Sequence, residues 1–124
     1  MSEEISQLPP QIQQRLLRLQ QLQQNLQGVM AQKQQLTMQL TETENATKEL
    51  EKLADDAVVY KSIGALLVKA EKAKVSADLA DRKELVKMRV DVLAKQEERL
   101  RTQVKELQEK LQQDLRPVSG SSLG

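Results

Sequence analysis

A chain of 124 residues with a single aromatic side chain, no Trp, no Phe and 30% charged residues has too little apolar bulk for a thick globular core, so an extended shape is expected. Without Cys there is neither a disulfide framework nor thiolate chemistry. Without His the usual proton shuttle and the commonest metal ligand are missing, so catalysis, a cofactor and a metal centre are not expected. Lys and Arg number 19 against 18 Asp and Glu, a formal charge of +1 that draws neither nucleic acid nor anionic lipid. No basic leader precedes an apolar segment after Met1-Ser2-Glu3-Glu4, and no apolar run approaches bilayer length, so no membrane partner and a cytoplasmic location are expected.

The first half of the chain carries a heptad whose a positions are Ile5, Ile12, Leu19, Leu26, Lys33, Leu40, Thr47 and Ala54. Its d positions are Leu8, Arg15, Leu22, Val29, Leu36, Thr43, Leu50 and Ala57. Arg15, Lys33, Thr43 and Thr47 are the breaks in an otherwise apolar seam. Pro9-Pro10 marks where an uninterrupted helix can begin, because proline is tolerated in a first turn and not beyond it. A coiled-coil helix is therefore predicted over 10–57. The Gln residues, among them Gln13, Gln20, Gln24, Gln27 and Gln34, fall off the seam and form a solvated face, not a low-complexity tract.

The seam stops at Val58. Residues 58–69, Val58-Val59-Tyr60-Lys61-Ser62-Ile63-Gly64-Ala65-Leu66-Leu67-Val68-Lys69, place β-branched side chains and the only aromatic before a Gly and a second apolar run. This is the pattern of a β-hairpin. A two-residue Gly64-Ala65 loop fits a type II′ turn, whose first central position requires positive φ. Ile63 then pairs with Leu66, Lys61 with Val68 and Val59 with Ala70. One face carries Val59, Ile63, Leu66 and Val68, and the other, with Ser62, Lys69 and Glu71, is expected to be wetter. A lone hairpin is marginal in water, so Val59, Tyr60, Ile63, Gly64, Leu66 and Val68 are the candidate oligomerisation residues, with hairpins of several subunits joined edge to edge.

A second helix is predicted over 72–116, starting between Lys72 and Asp78 with Ser76 as a possible cap and ending before Pro117. Leu79, Val86, Leu93, Leu100 and Leu107 occupy d; Lys83, Val90, Glu97, Val104 and Leu111 occupy a. The hairpin turn lies midway between the helix ends, so the arms, each about 75 Å long at 1.5 Å per residue, fold back antiparallel, and residues whose numbers total about 130 become neighbours. Lys33 and Glu97, each the most anomalous a residue of its helix, are expected to form a seam ion pair, the alternative being that each snorkels out of the seam independently, and Thr47 and Lys83 to share a weaker layer. The termini then meet. Leu16 and Leu17, off the seam, would lie beside Leu115, and with Ile5, Leu8 and Val118 they form a candidate apolar tip for binding unfolded chain. The tail 117–124 is expected to be flexible.

The stretch Asp56-x-x-Val59-Tyr60-Lys61-x-Ile63-Gly64-x-x-Leu67-Val68-Lys69 between two heptad arms resembles the beta-type subunit of prefoldin, especially its archaeal form. Gln20-Gln21-Leu22-Gln23 and Lys95-Gln96-Glu97-Glu98-Arg99-Leu100 are similar to that family as well. Ala70-Glu71-Lys72-Ala73-Lys74 departs from it, being tolerable in a helix where a polar turn is expected. The resemblance implies a mainly α, long antiparallel two-helix coiled-coil hairpin with a small β-hairpin at the bend. It further implies an ATP-independent holdase built of two alpha-type and four beta-type subunits, which holds unfolded polypeptides between its tips and passes them to a group II chaperonin. The isolated Gly28, Gly64, Gly120 and Gly124 form no nucleotide loop. Competing expectations are a structural tether that only spaces two partners, a nucleic-acid-clamping arm, which would want a basic stripe, and an enzyme subunit, which would want carboxylates converging in a pocket.

Overall fold

The structure, a computed structural model, describes residues 7–116. Two long helices, α1 (Pro10–Glu51) and α2 (Lys72–Asp114), are joined through strands β1 (Val59–Ile63) and β2 (Leu66–Ala70). The carbonyl of Pro9 accepts from the amides of Ile12 at 3.0 Å and Gln13 at 3.1 Å, so Pro9 caps α1 and Pro10 occupies its first position. There the missing N–H costs nothing, since the first helical amides have no intrahelical acceptor.

Helix α1 ends at Glu51, six residues before the predicted 57. Its last bonds tighten to Lys52 N to Glu49 O at 3.3 Å and Leu53 N to Leu50 O at 3.1 Å, and a turn follows in which the Ala57 amide reaches the Ala54 carbonyl at 3.0 Å. Asp55 and Asp56 explain the early stop. Their charges oppose the negative end of the helix dipole and their side chains favour turns. Ala54 and Ala57 are therefore loop residues and not seam positions. The freed end is closed from the other helix: Lys72 Nζ donates to the Leu53 carbonyl at 2.7 Å and to Asp55 Oδ1 at 3.4 Å. Helix α2 starts at Lys72, with the Val75 amide bonded to the Glu71 carbonyl at 3.1 Å, so Ser76 lies inside the helix and does not cap it. It ends at Asp114, short of 116, with a final bond from Leu115 N to Leu111 O at 2.9 Å.

The strands pair antiparallel as Val59 with Ala70, Lys61 with Val68 and Ile63 with Leu66. Gly64 has φ +58°, and among the described residues no other residue type adopts positive φ, which leaves Ala65 negative. Positive φ at the first central position alone is the II′ signature.

The chain divides into two compact units, one of the residues up to Ala31 with those from Ala94, the other Gln32–Leu93. In the first, Arg15 is ion-paired with Asp114 and Arg101 Nη2 donates to Met30 Sδ at 3.4 Å, both consistent with the antiparallel register. Leu22 and Leu111 are buried there. In the second, Leu50, Val86 and Thr43 are buried. Thr43 breaks the apolar pattern at little cost because its hydroxyl donates to the Gln39 carbonyl at 2.8 Å; Thr47 does the same to Thr43 at 2.9 Å. Lys83 does not join Thr47 in a seam layer. It is exposed, its stem long enough to carry the ammonium out to water.

The two glycines of the described residues predict opposite outcomes for one substitution. Neither has anything within 4 Å of where a Cβ would sit. Gly28, inside α1, only loosens the helix, so Gly28→Ala raises stability by about 1 kcal/mol. Gly64→Ala must force a side chain into positive φ and lowers it by about 1–2 kcal/mol. Thermal melts followed by circular dichroism check this, and a shift of the same sign in both variants contradicts the turn geometry.

Candidate functional site

Strand pairing sorts the hairpin side chains into two faces. The first holds Val59, Lys61, Ile63, Leu66, Val68 and Ala70. At its base Val59 and Ala70 are half-buried, and Lys61 Nζ reaches Asp78 Oδ2 on α2 at 2.9 Å. Toward the turn this face is bare, with Ile63, Leu66 and Val68 exposed. The second face is less polar than the sequence suggests. Beside Ser62 and Lys69 it carries Tyr60 and Leu67, 60% and 73% exposed, as diagonal neighbours. Leu67 is absent from the sequence-derived candidates, although counting pleat parity back from the turn places it opposite Ser62. The sheet has only two strands, so both edges lack a partner strand. Among the described residues this hairpin is the densest exposure of apolar side chains, and it can be satisfied by further strands or by another sheet packed on it.

The Lys61–Asp78 ion pair sets the hairpin against α2. Hydrogen bonding from Lys61, then its charge and that of Lys74, hold the Asp78 carboxyl below the ordinary aspartate range.

In the first unit the Arg15–Asp114 pair brings the start of α1 beside the end of α2. Leu17 and Leu115 are exposed there. Leu16 does not face outward as expected. It is half-buried, since an e position flanks the seam and is shielded by the neighbouring helix. Leu8 is also half-buried, and its carbonyl accepts from Gln13 Nε2 at 2.7 Å. Ile5 and Val118, with the tail 117–124, lie outside the described residues. Lys33 and Glu97 are each half-buried, and Glu97 Oε2 accepts from Arg101 Nε at 3.0 Å. Among the described residues no group of His, Cys, Asp or Glu is placed to hold a metal, and no helix is long and apolar enough to cross a membrane.

A family model described as "Prefoldin subunit" matches residues 13–117. The prefoldin subunit beta of Methanosarcina acetivorans is 47% identical over 112 residues, which are 90% of this chain and 96% of the relative. That of Archaeoglobus fulgidus is 44% identical over 116 residues, 94% and 100% of the two chains. The crystal structure of the prefoldin beta subunit from Thermococcus strain KS-1 superposes with a TM-score of 0.82 at 45% identity, covering 88% of this chain and 96% of that one.

The Lys61–Asp78 pair makes the hairpin acid-sensitive. A carboxyl with a lowered folded pKa adds stability above its unfolded value, and that contribution disappears as pH falls through the folded one. The protection factors of β1 and β2 amides, corrected for the intrinsic pH dependence of exchange, are therefore expected to fall below about pH 4, the ordinary aspartate range. Asp78→Asn exchanges faster already at neutral pH and lacks this acid step. An unchanged profile in Asp78→Asn means that the pair does not anchor the hairpin.

Proposed function

The chain belongs to the prefoldin subunit family, and from that membership we propose that it is a beta-type subunit of an ATP-independent holdase, capturing unfolded polypeptides at the ends of its helices for transfer to a group II chaperonin. The family is one of chaperone subunits that assemble with other prefoldin subunits, and is not an enzyme class. The proposed assembly has two alpha-type and four beta-type subunits, and its proposed location is the cytoplasm.

The observation that carries this function is the uncovered hairpin. Strands with bare edges and apolar side chains on both faces are unstable in isolation, so they serve as a joint between subunits. A tether that merely spaced two partners would need the helices and not the hairpin. The exposed Leu17 and Leu115 support client binding at the helix ends. Each apolar side chain covered contributes on the order of 2 kcal/mol, so one subunit holds a client weakly and several provide avidity. Weak, shape-tolerant contacts suit irregular clients.

Joint and tip are separable by mutation. Ile63→Asp or Val68→Asp is expected to collapse the oligomer in analytical sedimentation. Removing 1–8 and 118–124 and changing Leu17 and Leu115 to Ser is expected to leave the oligomer intact while cutting protection of an unfolded test protein severalfold; Leu16 is left in place because its half-buried side chain supports the helices. Native mass in the first pair of variants contradicts the joint. Undiminished protection without nucleotide in the second contradicts the tip.

A further inference from the structure

Within the Gln32–Leu93 unit the helices enclose an open groove of about 680 Å³. Leu36 and Leu93, half-buried seam residues, form its floor. One wall is a second apolar stripe on α2, made by Leu85, Met88 and Val92, which are 45%, 57% and 51% exposed. These residues follow helical spacing, so they share one side of α2, but they sit at c, f and c of the heptad and the seam has no use for them. The opposite wall is amide-rich, with Gln32, Gln35 and Gln39.

Arg89 is the one charged side chain lining this groove. Its helical neighbours three and four residues away are Leu85, Val86, Val92 and Leu93, none of them acidic, whereas Arg101 has Glu97 four residues before it and bonds to it. Arg89 makes no ion pair with any described residue. A guanidinium among leucines, with no carboxylate in reach on its own helix, is complementary to a carboxylate from outside.

We propose that this groove is a second client site, which takes an extended segment of unfolded polypeptide carrying apolar side chains and an acidic residue. The apolar side chains lie on Leu85, Met88 and Val92, with the unbranched methionine adapting to different shapes. The glutamine amides both donate and accept, so they match the backbone of any extended sequence. The carboxylate meets Arg89. A groove of this size is within the range of about 300–1,000 Å³ typical of ligand sites, yet it is open along its length, which admits a chain without a fixed fold. The proposal rests on the holdase function above and deepens it, adding to the tips a contact that selects for acidic-apolar segments.

The test uses the full-length chain in its native oligomer and two fluorescein-labelled peptides of Leu and Ser, alike except that one carries a Glu where the other carries a Lys. In anisotropy titrations the Glu peptide is expected to bind more tightly. Arg89→Glu should weaken the Glu peptide on the order of tenfold and strengthen the Lys peptide, and Met88→Ser with Val92→Ser should weaken both. All these residues lie off the seam, so helicity by circular dichroism and sedimenting mass stay unchanged. Equal affinity for the two peptides, or titrations unmoved by the groove variants, overturns the groove site even where protection of unfolded protein is normal. A change of mass on altering the groove shows that another copy of the chain covers it, which also overturns it. Failure of the unaltered oligomer to suppress aggregation overturns the holdase function, and it does so whatever the peptides show.

Discussion

Within each compact unit two helices packed on each other can bury one stripe apiece, and that constraint runs through the described residues. Buried apolar side chains are confined to Leu22, Leu50, Val86 and Leu111 among the described residues, and even most seam leucines stay half-exposed. A third layer would be needed to cover more. A chain with one aromatic residue and 30% charge has no material for that layer. Its stability is spread thinly along the seam, and whatever apolar surface lies off the seam is left available for contact with other molecules.

The same thinness makes polar seam residues affordable. Thr43 is buried, yet its hydroxyl returns to its own helix at Gln39 and is not left unsatisfied. Arg15 sits at a d position and still reaches Asp114, because water is close on either side. Lys83 leaves the seam altogether. Each break is solved within one or two side-chain lengths, so the heptad tolerates substitutions that a globular interior would not.

At the bend the chain reverses through groups that hold one another. Lys72, the first residue of α2, closes the Leu53 carbonyl just beyond α1, and Lys61 of β1 is tied to Asp78, six residues into α2. The hairpin is thus oriented by two lysines while its apolar side chains remain uncovered. A loop with Tyr60, Ile63, Leu66 and Leu67 in water carries a solubility cost with no compensation, whereas in the proposed role of a joint the same residues would gain burial on assembly.

The elements were legible in the sequence because each has a local cause. Proline at N1 starts α1, period-3.5 leucines trace both helices, and the II′ geometry of Gly64 follows from the one residue type that accepts its φ. The strand register then follows from the turn alone, and family membership from the residues around it. What remained illegible depends on contacts between residues far apart in the chain. The closing of the Leu53 carbonyl beyond α1 needs Lys72 brought across from the next helix, the shielding of Leu16 needs a neighbouring helix at its side, and the apolar second hairpin face shows only once the chain is folded. Local sequence determined where helix and strand could form, since periodicity and backbone freedom act over a few residues. Tertiary structure alone decided which of the apolar side chains were left in water, since burial is a property of what comes to lie on a residue and not of the residue itself.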